Sequence, residues 1–163
     1  MKTVTCFCGA QVPDIEGPVH AYMDSTPGCW NRYGDILARE YSDINYMKFH
    51  QITVDSFACQ HYGMPSPQSI QSVNLHLASL HLIFARGKDM VFANHSIQQL
   101  AKFKSEFTWL VPPISVGFIN LIHIWSAKNP KDHVERVYEW GKSTWAAWSG
   151  HHKTIEILLS RVL

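Results

Sequence analysis

Several features that mark familiar classes of protein are missing from this chain of 163 residues. The first residues hold no apolar stretch of the kind that directs secretion, so we expect no signal peptide and a cytoplasmic location. Charged residues make up only 17% of the chain, the net charge is +1, and lysine and arginine do not cluster. That charge pattern argues against a nucleic-acid partner. The chain also lacks a nucleophile elbow, a phosphate-binding glycine loop and a dinucleotide fingerprint, which argues against serine hydrolases, P-loop NTPases and Rossmann enzymes.

A long uncharged run is present, but it does not have the pattern of a membrane span. Residues 107–125 carry no charge, yet Pro112, Pro113, Gly117 and Asn120 interrupt them. A spanning helix needs about 20 consecutive, mostly apolar residues. The run therefore predicts a loop followed by a short helix, and we expect no membrane partner.

Helix-start signals dominate the rest of the chain. A capping residue followed by proline occurs at Thr26-Pro27, Ser66-Pro67 and Asn129-Pro130. With hydrophobic residues at 46%, the pattern predicts one globular, mostly α-helical domain over 1–163. We expect a bundle of about five helices, with a small cysteine-containing knuckle (1–29) packed on a helical body (30–163). The predicted helices begin at Pro27 and then cover 44–61, 67–87, 94–107 and 130–161, with a short one near 119–127.

Three cysteines and a histidine within the first 29 residues point to a metal site. Thiolates and imidazoles are the ligands that zinc prefers, and the segment has little apolar content to order it otherwise. We therefore predict a zinc ion held by Cys6, Cys8, His20 and Cys29. Only one residue separates the first two cysteines, where common zinc knuckles have two to four. The alternative is that the three cysteines are reduced and bind no metal.

A second candidate site consists of histidines on three different helices. Helical spacing places His50, His76 and His152 on faces that point into the core, where they could converge. Three histidines and a water would form an open, catalytic metal site, with Asp55 as a candidate orienting group or general base. The alternative is that each histidine forms a structural hydrogen bond inside the core.

Several short segments resemble a known family. They are Cys8-Gly9-Ala10, Pro27-Gly28-Cys29-Trp30, LAREY at 37–41, HQITVDSFACQH at 50–61, QSIQSVNLH at 68–76 and WAAWSGHH at 145–152. Together they are similar to a bacterial family known only as a domain of unknown function. The resemblance implies a shared helical fold and a shared metal-binding role, and it implies no activity.

Three functions are consistent with these residues. The first is a metal-dependent hydrolase or transferase that acts on a small-molecule substrate at a histidine-lined core site. The second is a non-catalytic binding or regulatory module whose zinc is purely structural. The third is a redox or metal sensor that uses Cys6, Cys8 and Cys29 as reactive, exposed thiolates.

Overall fold

The structure, a computed structural model, describes residues 1–163 as seven α-helices and one two-stranded sheet. Strands β1 (Thr3–Thr5) and β2 (Gln11–Pro13) form an antiparallel hairpin in which Val4 pairs with Val12. The helices are α1 Pro27–Ser42, α2 His50–Gln60, α3 Pro67–Phe84, α4 Met90–Leu100, α5 Leu121–Trp125, α6 Pro130–Ala147 and α7 His152–Leu159. This confirms the mostly helical fold with a small N-terminal cysteine cluster.

The predicted cap residues start three of the longest helices. The side-chain oxygens of Thr26, Ser66 and Asn129 each accept a hydrogen bond from a backbone N–H in the first turn, and a proline follows each cap. Such caps satisfy donors that would otherwise lack a partner at a helix start. Local sequence chemistry therefore fixes where α1, α3 and α6 begin.

Two predicted helices have different boundaries in the structure. The helix predicted over 44–61 is divided, because Asp43 caps a separate 3₁₀ turn at Ile44–Tyr46 and Phe49 has non-helical angles before α2 begins. The helix predicted to begin at Asn94 begins at Met90, since Asp89 caps it by accepting from the Phe92 N–H at 2.8 Å. It ends at Leu100, where a 3₁₀ segment (Ala101–Glu106) follows.

The helix predicted over 130–161 is also divided, at Trp148. This residue has φ −91° and ψ 17°, and its indole N–H donates to the Cys59 carbonyl at 3.2 Å. A 3₁₀ turn at Ser149–His151 follows, and α7 then begins at His152, whose Nε2–H donates to the Trp145 carbonyl at 2.8 Å. These tertiary and end-of-helix hydrogen bonds turn one predicted helix into two.

The core surrounds α2, which packs against both α3 and α6. The close approach of α6 depends on Gly141, where a Cβ atom would lie 2.2 Å from Ile52 Cγ2. Trp140 and Trp148 are fully buried. Residues of the N-terminal segment, including Ala10, Val12 and Cys29, belong to the same hydrophobic cluster.

The uncharged run over 107–125 forms a loop up to Asn120 and then the short helix α5, as predicted. None of the seven helices combines the length and the apolar character that crossing a membrane requires.

Candidate metal centre

The turn of the N-terminal hairpin carries Cys6 and Cys8. The turn is closed by two backbone hydrogen bonds, from the Cys6 N–H to the Ala10 carbonyl at 2.9 Å and from the Gly9 N–H to the Cys6 carbonyl at 2.8 Å. Gly9 has φ +87°, a left-handed conformation that a residue with a side chain adopts only with strain. This tight turn places both thiols on the buried side of the hairpin.

The first turn of α1 carries Cys29. The Cys29 N–H donates to the Thr26 hydroxyl at 3.3 Å, so the helix cap also fixes this ligand. The Thr26 N–H in turn points at Cys6 Sγ, at 3.5 Å. Gly28 lets the helix start pack on the hairpin, because a Cβ there would lie 2.2 Å from the Pro13 carbonyl oxygen.

His61 completes the group from the C-terminal end of α2. Its Nδ1–H donates to the Phe57 carbonyl at 2.8 Å, and its ring stacks on the Phe57 ring with centroids 3.9 Å apart. A histidine that donates one ring nitrogen to a carbonyl leaves the other nitrogen for a metal. In His61 that other nitrogen is Nε2, and it faces the sulfur atoms.

The four side chains form a compact cluster. Nε2 of His61 lies 3.4 Å from Cys29 Sγ and 3.6 Å from Cys6 Sγ, and the Sγ atoms of Cys8 and Cys29 are 3.9 Å apart. All four ligand atoms lie within 4.8 Å of one another, which is close enough for them to hold a single metal ion. The sulfur atoms are not bonded to each other, since all four cysteines of the chain are free.

Burial makes the protonation states of this cluster interdependent. None of the four side chains is more than 4% exposed. Hydrogen bonds from Cys29 and Cys8 hold the pKa of the Cys6 thiol far below its usual range, whereas hydrogen bonds with Cys6 and Cys8 raise the pKa of the Cys29 thiol. Burial lowers the pKa of His61, but hydrogen bonds with Cys6 and Cys8 outweigh it and raise that pKa to about 9. The cluster thus pairs a thiolate with a protonated imidazole, and a bound cation would displace that proton.

Three of the four predicted metal ligands, Cys6, Cys8 and Cys29, come together, but His20 lies outside the group and His61 takes the fourth place. Nδ1 of His20 instead accepts a hydrogen bond from the Tyr22 N–H at 3.3 Å. Its ring makes edge contacts with Tyr22 and Trp30, at centroid distances of 4.3 and 5.5 Å. These contacts hold His20 against aromatic rings, and it does not join the sulfur atoms.

The histidines predicted to converge in the core are separate from one another. Each donates to its own acceptor: His50 to Glu40 at 3.0 Å, His76 to Asp55 at 2.7 Å, and His152 to the Trp145 carbonyl. Asp55 is fully buried and also accepts from the Gln51 amide at 2.7 Å. In the structure Cys6, Cys8, Cys29 and His61 are the one group of three or more ligating side chains that could share an ion.

Comparisons with known proteins give one match. The model of a family described as a family of unknown function, DUF5946, matches residues 3–149, in agreement with the resemblance seen in the sequence. No curated protein and no solved structure matches the chain.

Proposed function

The chain belongs to this family of unknown function, and from that premise we propose that it is a structural zinc protein and acts as a non-catalytic binding module. In this proposal Cys6, Cys8, Cys29 and His61 hold one Zn²⁺ that fastens the hairpin to α1 and α2. The observation that carries the proposal is the buried arrangement of three thiols and one imidazole within 4.8 Å of one another.

The spacing of the donor atoms supports zinc. A tetrahedral ion with Zn–S bonds of about 2.3 Å and a Zn–N bond of about 2.0 Å holds its sulfurs roughly 3.8 Å apart and its nitrogen roughly 3.5 Å from each sulfur. The corresponding distances here are 3.9 Å between Cys8 and Cys29 and 3.4 and 3.6 Å from the His61 nitrogen. A set of three cysteines and one histidine is also a usual structural zinc set.

The number and burial of the donors support a structural ion. Catalytic zinc sites keep one position open for water or substrate, whereas structural sites use four protein ligands. This cluster offers four, and each is at most 4% exposed. Such burial also disfavours the redox-sensor alternative, which requires accessible thiolates.

The hydrogen bonds of the core histidines support a module without hydrolytic chemistry. His50, His76 and His152 each pair with a different acceptor, so they do not form the open metal site that the hydrolase or transferase hypothesis requires. Paired core histidines stabilise a fold by satisfying buried polar groups. The binding-module hypothesis therefore explains more of the structure.

Elemental analysis of protein purified without added metal tests the proposal. The wild type should carry about one zinc ion per chain, and Cys29→Ser should lose it. Cys59→Ser is the matched control, because Cys59 is also buried and free but lies outside the cluster. It should keep its zinc. A wild type that contains no metal, or equal metal in both variants, would overturn the proposal.

A chelator competition identifies the fourth ligand. His61→Ala should weaken zinc binding strongly because it removes the one nitrogen donor of the cluster. His20→Ala should bind as the wild type does, since His20 contacts aromatic rings instead. The reverse order would assign the fourth position to His20.

A further inference from the structure

Two cavities of the molecule share several lining residues and form one groove. A cavity of about 700 Å³ runs along the first turns of α6, and one of about 550 Å³ runs beside the start of α4. Both are lined by Lys48, Phe49 and Tyr138, so we treat them together as the Phe49 groove. None of the four metal ligands lines it. A volume of this size is typical of small-molecule sites.

Aromatic and aliphatic side chains form the floor of the Phe49 groove. The Phe49 and Tyr138 rings pack with centroids 5.5 Å apart and a tilt of 43°. Tyr138 remains 42% exposed. Val134 extends this apolar surface at one end, and Met90 extends it at the other. A flat apolar body could therefore lie against the two rings and remove their exposed area from water.

Three lysines and three carboxylates line the groove, but beside α4 the two lysines Lys48 and Lys88 outnumber the single carboxylate, Asp89. Glu135 lies 3.4 Å from Lys131, Glu139 lies 3.3 Å from His123, and Asp89 accepts a hydrogen bond from the Phe92 N–H as a helix cap. Lys48 and Lys88 have no carboxylate partner, and their ammonium groups lie over aromatic rings at 5.2 and 4.7 Å. The groove thus offers two free cations beside an apolar floor.

We propose that the Phe49 groove binds a small amphipathic organic anion, with a flat apolar body on Phe49 and Tyr138 and an acidic group facing Lys48 and Lys88. The inference rests on the proposed binding role and supplies its ligand class. Two unpaired lysines complement one carboxylate or sulfonate, and the ring pair complements an aromatic body.

The test compares two probes of nearly the same shape on the full, zinc-loaded chain. Titration of ¹⁵N-labelled protein with 2-naphthoate should shift amide signals of residues 45–49, 88–91 and 131–139. The neutral analogue 2-naphthalenemethanol should bind the same place about tenfold more weakly, because it lacks the charged contact. Shifts spread over other surfaces, or no saturable shift with either probe, would overturn the proposal.

Charge-neutralising variants distinguish a specific effect of the groove lysines from attraction of the anion by the overall charge of the protein. Lys48→Met with Lys88→Met should abolish the preference for naphthoate over the alcohol. The control, Lys104→Met with Lys153→Met, changes the net charge equally at exposed lysines outside the groove and should keep the preference. If both double variants showed the same preference for naphthoate over the alcohol, the proposed ligand class would be wrong.

Zinc content measured in the same samples keeps the two proposals distinguishable. Zinc retained with no probe binding contradicts the groove alone. A wild type without zinc contradicts the structural ion, whatever the probes do.

Discussion

At the scale of single residues, Phe57 explains how an α-helix delivers a metal ligand. Its ring lies between those of Tyr33 and His61, at centroid distances of 3.8 and 3.9 Å, and its carbonyl accepts the His61 Nδ1–H. One residue therefore fixes the position and the tilt of the imidazole and leaves its Nε2 atom for the ion. Holding a ligand ready in this way lowers the entropic cost of binding an ion.

The protonation of His61 predicts how zinc affinity depends on pH. In the metal-free cluster the thiols raise the pKa of His61 to about 9, so this nitrogen carries a proton that zinc must displace. The apparent affinity should fall as pH falls below that value, by about tenfold per pH unit for each proton displaced. Competition with a chromophoric chelator between pH 6 and pH 9 would measure the slope. A flat profile would contradict a protonated imidazole in the metal-free state.

A second residue-scale prediction concerns Glu40, a fully buried carboxylate. It accepts hydrogen bonds from His50 at 3.0 Å, Thr53 at 2.7 Å and His133 at 3.0 Å. Burial raises the pKa of Glu40, but these hydrogen bonds outweigh burial and hold it below its usual value. Glu40→Gln should lower the free energy of unfolding at pH 7 by about 3 kcal/mol, because buried donors lose a charged acceptor.

Urea denaturation at several pH values measures this contribution. Because the folded pKa of Glu40 is depressed, its contribution is present above the ordinary carboxyl pKa and is lost as pH falls below it. The difference between wild type and variant should therefore shrink in acid. Glu139→Gln is the control, since its side chain is 59% exposed and pairs only with His123. If both variants lost a similar free energy of unfolding, the buried position of Glu40 would make no difference to its contribution.

The sequence predicted three of the four clustered ligands, and the reason for the miss is physical. Cys6, Cys8 and Cys29 lie in one short segment that has little apolar content to order it, which makes them visible as a group. His61 lies 32 residues after Cys29 and joins them only because α2 ends beside the start of α1. The sequence predicts that His61 lies at the end of a helix, just before Tyr62-Gly63. Only the tertiary packing shows which residues that helix end faces.

At the scale of elements, the contact between the hairpin and α1 depends on one missing side chain. A Cβ at Gly28 would lie 2.2 Å from the Pro13 carbonyl and 3.1 Å from Val12 Cγ2. The nearest atom belongs to the Pro13 backbone, which cannot move aside as the end of a flexible side chain would. Gly28→Ala should therefore push the hairpin away from α1, lower stability by about 1–3 kcal/mol and weaken zinc binding.

Gly34→Ala, on the same helix, is the matched control for this prediction. Nothing lies within 4 Å of a Cβ at that position. Alanine in a helix interior costs less entropy than glycine, so this variant should gain about 0.5–1 kcal/mol and keep its zinc affinity. Urea denaturation and chelator competition on both variants give the comparison. A neutral Gly28→Ala would mean that the hairpin does not need its close contact with α1.

The starts of α1, α3 and α6 were predictable and the helix interruptions were not, because the two depend on different ranges of interaction. Thr26, Ser66 and Asn129 cap their helices through atoms three residues away, which a sequence displays directly. The break at Trp148 involves a hydrogen bond to Cys59, 89 residues earlier. The same helical periodicity continues on both sides of the break, so the pattern alone predicts one long helix.

At the scale of the whole molecule, the N-terminal hairpin and the helical body depend on different sources of stability. The helical body buries large apolar side chains, and Trp140, Leu77, Leu80 and Ile155 are fully buried. The hairpin has strands of three residues each, and a two-stranded hairpin is only marginally stable in water. Zinc would supply the missing order by joining the hairpin turn to the start of α1 and the end of α2.

This division predicts a local response to metal removal. After chelation of zinc, amide hydrogen exchange should accelerate in the hairpin, where the Cys6, Gly9 and Asp14 N–H groups make their backbone bonds. Protection in α3 and α6 should persist, and the helical circular dichroism signal should change little, because the core around those helices does not contain the ion. Adding zinc back should restore protection at the hairpin amides. If chelation instead abolished protection throughout the chain in one cooperative step, the ion would be a condition of the entire fold, and the helical body could not be regarded as stable on its own core.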